Sequence, residues 1–289
     1  MIKKIIVLTL TIVMVGALLA GCAAKPAGNA GEATPKPEQK TLTIGGSTSV
    51  QPLAEELAKK FSEKNAGVQI DIQGGGSGVG IKSAIDGVVD IGMSSRELKT
   101  AEKGLKEFKI AIDGIAVILN PENKVKDISK EQLMQIYTGA IKNWKEIGGA
   151  DAAITVVTRE EGSGTRGAFI ELAKIEVTEG EQKVDKTIPT AITQGSTGAV
   201  ITTVSQDPNA IGYASFGAVK SKTDVKMISV SGVQISEENI YAKTYALSRP
   251  FLFLTKAEPT GLAKEFIDFI LSSEGQELIA SKNYLKASN

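Results

Sequence analysis

The sequence predicts an α/β fold built from βαβ units. Three observations carry this. Short β-rich runs alternate with amphipathic helical patterns from residue 41 to the end of the chain. Glycines and hydroxyl residues recur where an apolar run gives way to a helical pattern. The 289 residues, 42% of them apolar, suffice for one large core or two of ordinary size.

The elements follow in order. "TLTI" (41–44) reads as a strand and passes through "GGSTSVQP" (45–52) into a helix over 49–64. There Val50, Leu53, Leu57 and Phe61 share one face. "VQIDIQ" (68–73) is a second strand, and "GGGSGVG" (74–80) opens a helix carrying Val79, Ala84 and Ile85. "VDIGM" (89–93) is a third, followed by "GMSSREL" (92–98), read as another strand-to-helix turn. "IAIDGIAVIL" (110–119), "ITVVT" (154–158), "AIGYA" (210–214) and "FLFLT" (251–255) are further strands. "EGSGTRG" (161–167) and "QGSTGAV" (194–200) each open a helix, the latter with Val200, Ile201 and Val204. A helix over 261–272 aligns Leu262, Phe266, Phe269 and Ile270.

Two long extended runs, "IAIDGIAVILNPEN" (110–123) and "YALSRPFLFLTK" (245–256), each suit a crossing between two lobes. Residues 41–115 plus 249–289 would then form lobe 1, and 116–248 lobe 2. Contiguous halves are the alternative.

The N-terminus reads as a targeting segment. "MIKK" is a cationic start, and "IIVLTLTIVMVGALLA" is an apolar run of 16 residues, short of the about 20 a membrane helix needs. "LAGC" then ends at Cys22, the sole cysteine. Residues 1–21 are expected to be a signal peptide. The Leu-Ala-Gly-Cys pattern resembles a bacterial lipobox, which implies cleavage before Cys22 and a lipid on its sulfur; an uncleaved anchor is the alternative. Residues 22–40, rich in Pro, Gly, Ala and charge, read as a flexible tether. The protein is expected on the outer face of the cytoplasmic membrane.

Composition excludes much. There is no histidine, which removes Ser–His–Asp and Cys–His chemistry and most zinc sites. One cysteine allows no internal disulfide. Lys plus Arg equals Asp plus Glu at 33 each, so no basic surplus suggests nucleic acid. Without Lys3 and Lys4 the mature chain carries −2. Aromatics are 5%, too few to favour ligands that stack on rings. "GSGTRG" (162–167) matches a dinucleotide fingerprint, but "REE" separates it from its strand.

The turns carry the chemistry. The first N–H groups of a helix lack intrahelical partners and sit at the positive end of its dipole. Glycine admits a ligand close to that backbone, and Ser or Thr adds donors. Any one such turn reads equally as an ordinary N-cap. Several together, with Arg159 and Arg166 flanking the densest and Arg96 beside Ser94 and Ser95, point to a tetrahedral oxyanion.

In order, "GSTSVQPL", "GGGSGVGI", "VDIGMSSREL", "IYTGAIKNWKEIGG", "REEGSGTRGAF", "AIGYASF", "SRPFLFL" and "SSEGQELI" resemble the phosphate-binding lipoproteins of bacterial phosphate ABC importers. The resemblance covers residues 41–289. It implies a two-lobed, hinged, periplasmic-binding-protein-like fold (type II), each lobe a sheet flanked by helices, with two crossing strands. It also implies phosphate contacts at Thr48, Ser49, Ser77, Arg159, Ser163, Gly164 and Thr165. Ser95 stands where the family has an aspartate that accepts the proton of phosphate. Glu160 and Glu161 are candidate replacements, and Glu161 is expected to pair with Arg159.

The expected function is binding of inorganic phosphate and delivery to the permease and ATPase subunits of an importer. The protein would be a lipid-anchored monomer without catalysis, cofactor, metal or nucleic acid. Alternatives are another oxyanion (sulfate, molybdate or tungstate), a surface sensor or adhesin, and a phosphoester hydrolase, which the lack of histidine disfavours.

Overall fold

Ten strands join in one hydrogen-bonded sheet in the computed structural model, which describes residues 40–180 and 182–287. The signal segment, Cys22 and the tether up to residue 39 lie outside the described residues. Along the path the strands run Val68–Gly74, Lys40–Gly46, Ile91–Ser94, Ser248–Thr255, Lys106–Leu119, Ala210–Ser215, Thr155–Arg159 and Ile192–Gln194. Two short strands, Lys226–Met227 and Leu285–Lys286, pair with the long Lys106–Leu119 strand.

That long strand organises the molecule. Its first part pairs antiparallel with Ser248–Thr255, and Ile115 to Leu119 pair with Ser215 to Ile211. Flanking pairs are parallel: Lys40–Gly46 with Val68–Gly74 and Ile91–Ser94, and Thr155–Arg159 with Ala210–Ser215 and Ile192–Gln194. Parallel neighbours need crossover connections, and helices supply them.

Two hydrophobic clusters dominate burial. One gathers Leu42, Ile44, Leu53, Leu57, Phe61, Ile91, Met93, Phe251, Phe253 and Phe266. The other gathers Ile115 to Leu119, Tyr137, Trp144, Phe169, Val200, Val204, Tyr213 and Leu247. The long strand contributes Ile110 and Ala111 to the first and Ile115 onward to the second. The aromatic residues are structural. Phe169 stacks on Tyr213 at 4.0 Å, and Trp144 is buried with its Nε1 donating to the Asn209 carbonyl at 3.0 Å.

The helices follow the apolar periodicity. Gln51–Lys64 buries Leu53, Ala54, Leu57, Ala58 and Phe61, has Pro52 in its first turn and ends on Lys64. Thr197–Gln206 buries Val200, Ile201 and Val204, and Gly261–Leu271 buries Phe266, Ile267 and Ile270. Ser77–Asp86 differs from expectation: it buries Ile81 and Ala84 but leaves Val79 and Ile85 exposed. Gly80 forms its inner face, where an added Cβ would lie 2.6 Å from the Met93 carbonyl and 2.8 Å from Gly46 Cα. The helix therefore packs through backbone contact at Gly80 together with Ile81 and Ala84, and Val79 and Ile85 are left on the outer side. No helix among the described residues is long and apolar enough to cross a membrane.

Candidate functional site

Five Gly/hydroxyl turns and the end of one strand meet at a buried polar cluster. The first turn follows strand Lys40–Gly46, the second follows Val68–Gly74, and the third follows Ile91–Ser94. The fourth follows Thr155–Arg159 and opens helix Gly164–Leu172. Turn "QGSTGAV" adds Thr197 at the start of its helix. These are carboxyl ends of parallel strands, where α/β sheets place their ligands.

In two of these turns one hydroxyl caps the helix and a nearby one joins the cluster. Ser163 Oγ accepts from the Arg166 amide at 3.2 Å, as an N-cap. Thr165 instead meets Ser49 Oγ at 2.7 Å. Ser196 likewise caps through the Ala199 amide at 3.1 Å, while Thr197 Oγ1 lies 2.9 Å from Ser49 Oγ. Ser47 accepts weakly from the amides of Ser49 and Val50 and donates to Ser95 Oγ at 2.9 Å. Ser77 Oγ accepts from the Ser95 amide at 3.0 Å and lies 3.3 Å from Ser95 Oγ. Ser47, Ser49, Ser77, Ser95, Ser163, Thr165 and Thr197 are all buried.

Gly164 is needed because the turns close on one another. A Cβ there would sit 2.2 Å from Ser77 Oγ and 2.9 Å from Ser95 Oγ. Beside it, the Gly78 amide donates to the Gly162 carbonyl at 2.9 Å. Backbone thus meets backbone between the second and fourth turns.

Arg159 supplies the charge. It ends its strand and is only 2% exposed. Its Nη2 donates to Thr48 Oγ1 at 3.0 Å and its Nη1 to Thr197 Oγ1 at 3.2 Å. Its other edge is held by Glu160, with Nε and Nη2 each 2.8 Å from a carboxylate oxygen. Glu160, not Glu161, is therefore the partner: successive residues at the end of a strand diverge, and Glu160 folds back along the guanidinium. Tyr213 braces the same strand end, its hydroxyl 2.9 Å from Thr158 Oγ1 and accepting from the Arg159 amide at 3.1 Å. Burial pushes that phenol up to about 12, so it stays neutral.

The structure brings Thr48, Ser49, Ser77, Ser95, Arg159, Gly164 and Thr165 together, with Ser163 beside them as a cap. Sequence reasoning missed two members. Ser47 lies in a turn where its neighbours Thr48 and Ser49 drew the assignment, and Thr197 lies in a turn that was singled out but given no contact. The other arginines are engaged elsewhere. Arg96 makes a bidentate pair with Glu102 at 2.7 Å through each nitrogen. Arg166 pairs with Asp185 at 2.7 Å and donates to the Arg159 carbonyl at 2.9 Å. No α-helix follows the third turn. A 3-10 turn, Thr100–Glu102, stands there, organised by the Arg96–Glu102 pair. A cavity of about 1030 Å³ is lined by Arg96, Glu161, Arg166, Asp185, Ser248 and Arg249, among others.

Uncharged donors around one guanidinium suit a single dehydrated oxyanion. Burying an anion is costly unless hydrogen bonds replace its water. Bonds to a charged acceptor are about twice as strong as neutral ones. Hydroxyls that now pair with each other can rotate to donate inward. Among the described residues no group of three or more Cys, Asp or Glu is placed to hold a metal.

A family model of the PBP superfamily domain matches residues 31–274. The chain belongs to the PBP superfamily. Within it, the chain is 38% identical over 267 residues to the phosphate-binding protein PstS of Bacillus subtilis strain 168, across 88% of this chain and 86% of that protein. It is 32% identical to the phosphate-binding protein PstS of Borreliella burgdorferi, across 86% and 90%. Among solved structures, one from Clostridium perfringens, named as a phosphate ABC transporter substrate-binding protein with bound phosphate, is 45% identical with a TM-score of 0.80, over 86% of this chain and 99% of that one. An ABC-type phosphate transport receptor from Vibrio cholerae is 38% identical with a TM-score of 0.70, over 86% and 100%. The α/β PBP-like fold expected from the sequence is the fold observed.

Proposed function

We propose that this PBP-superfamily chain binds inorganic phosphate outside the cytoplasmic membrane and hands it to an ABC importer. The single observation that carries the reading is the gathering of Ser47, Thr48, Ser49, Ser77, Ser95, Thr165 and Thr197 in one buried polar cluster, with the Arg159 guanidinium bonded to Thr48 and Thr197 at its edge. The phosphate-binding names of relatives at 38% and 45% identity support it.

The mechanism is binding without a covalent step. Residues 41–115 plus 249–289 form one lobe and 116–248 the other, and the lobes close over the anion by bending at the linking strands. Phosphate contacts fall on Thr48, Ser49, Ser77, Ser95, Arg159, Ser163, Gly164 and Thr165, with Ser47 and Thr197 added on geometry; Ser163 acts chiefly through its cap. The chain works as a monomer, anchored through a lipid on Cys22, and engages the permease and ATPase subunits.

A second reading, another oxyanion such as sulfate, draws on Ser95. Its hydroxyl meets only the Ser47 and Ser77 hydroxyls, so no carboxylate beside Ser95 demands a proton on the ligand. Calorimetric titration with phosphate, repeated in excess sulfate, separates the two. Phosphate binding unchanged by sulfate supports the proposal, and tighter sulfate binding overturns it.

A further inference from the structure

We infer that the buried Arg249–Asp113 ion pair is a positioning element of the anion site, setting the Ser95 turn in register with the second core; the inference rests on the phosphate-binding reading. Asp113 and Arg249 are register partners on Lys106–Leu119 and Ser248–Thr255, the two strands that run between the hydrophobic clusters. Both are nearly sealed, at 1% and 4% exposure. Nη2 and Nε of Arg249 donate to Asp113 Oδ2 at 3.0 and 3.2 Å. Its Nη1 donates to the Ser95 carbonyl at 3.2 Å. From the other side, Ser215 Oγ donates to Asp113 Oδ1 at 2.8 Å. Ser215 ends strand Ala210–Ser215, which pairs with the distal half of the long strand.

One hydrogen-bonded chain therefore runs from the Ser95 carbonyl through Arg249 and Asp113 to Ser215. It crosses the junction where the long strand changes partners. The Ser95 turn has special need of it. The first, second and fourth turns run into α-helices, whose own hydrogen bonds fix the backbone. The third runs into no α-helix, so side chains hold it. Its Ser95 hydroxyl must still meet Ser47 and Ser77.

The chemistry of the pair agrees. A buried ion pair is poor value for stability alone, since well-packed apolar residues of similar volume often do as well. A planar guanidinium, by contrast, grips a carboxylate and a carbonyl at once in a fixed geometry, which the rotatable donors of an ammonium on a flexible stem do not impose. Phe251 packs against its carbon at 5.4 Å and restricts the plane.

The test measures phosphate affinity by calorimetry and melting temperature by circular dichroism, in the wild type and two variants. Arg249→Lys keeps a cation for Asp113 but loses the fixed second donor to Ser95. Asp113→Leu with Arg249→Met removes both charges together, so that neither is left buried without the other, and keeps the core filled. Both are expected to bind phosphate at least tenfold more weakly, the double variant while melting close to the wild type. A purely structural pair would move the melting temperature and leave the affinity of the folded protein alone. Phosphate binding by the wild type, with the folded variants within twofold, overturns the inference while leaving the function standing. A wild type that binds no phosphate removes both.

Discussion

Replacing Gly164 with alanine should separate ligand binding from folding. The added methyl would lie 2.2 Å from Ser77 Oγ, 2.8 Å from Ser77 Cβ and 2.9 Å from Ser95 Oγ. The two closer distances fall well inside contact, so the second and fourth turns must part. Within its own helix the change is benign, because Gly164 opens Gly164–Leu172 without a left-handed φ. Alanine is favoured over glycine in a helix by up to about 1 kcal/mol. The cost thus falls on the closed arrangement of turns. Overpacking of this kind costs about 1–3 kcal/mol, or about 5- to 150-fold in Kd. Titration calorimetry should show that loss, with a melting temperature equal to or above that of the wild type. Wild-type affinity in Gly164→Ala would refute the reasoning, because it would mean the turns need not approach as closely as they do here.

Three further outcomes follow from the site and its surroundings. Arg159→Ala removes the guanidinium that joins Thr48, Thr197 and Glu160, and should weaken phosphate binding at least a hundredfold without unfolding the protein; calorimetry together with circular dichroism checks both halves. Ser95→Asp places a carboxylate beside the Ser47 and Ser77 hydroxyls, and should increase the ratio of phosphate to sulfate affinity, measured by competition titration. For Glu102, the hydrogen bonds of Arg96 hold the carboxyl below its ordinary range. Its folded value is therefore below its unfolded one, so the stabilisation is present above the unfolded value and fades as pH falls through the folded value. Thermal melts from pH 7 down to about 3 should show a shallower decline in Glu102→Gln than in the wild type, and parallel curves would exclude the pair as a contributor.

Much of this architecture was legible, for definite reasons. Strands such as "ITVVT" and "AIGYA" are short apolar runs bounded by turn residues, and the first helix carries its core residues at regular spacing. Helix Ser77–Asp86 misled because Gly80 sits at the centre of the packing face, with Ile81 and Ala84 beside it, and turns Val79 and Ile85 outward. Distinguishing Val79 from Ile81 requires knowing that Gly80 rests on Met93 and Gly46. Within the cluster, the hydroxyl-rich turns could be found from composition, but the division of labour inside each could not. Whether Ser163 or Thr165 caps the helix is settled by backbone angles, and Thr197 is distinguished from Ser196 in the same way. The sequence favoured Arg159 over Arg96 and Arg166 but did not show what the other two pair with. Glu102 and Asp185 engage them, across 6 and 19 residues. The Asp113–Arg249 pair lay unseen inside the two runs read as crossings, because strand register is a long-range property no local pattern reports.

The most direct measurement is a crystal structure grown with phosphate. The account predicts one tetrahedral anion seated among Ser49, Ser77, Ser95, Thr165 and Thr197, with Arg159 in direct contact and no carboxylate closer than its second neighbours. Phosphate bound at any other place, or Arg159 still committed to Thr48 and Glu160 with no anion beside it, would contradict it.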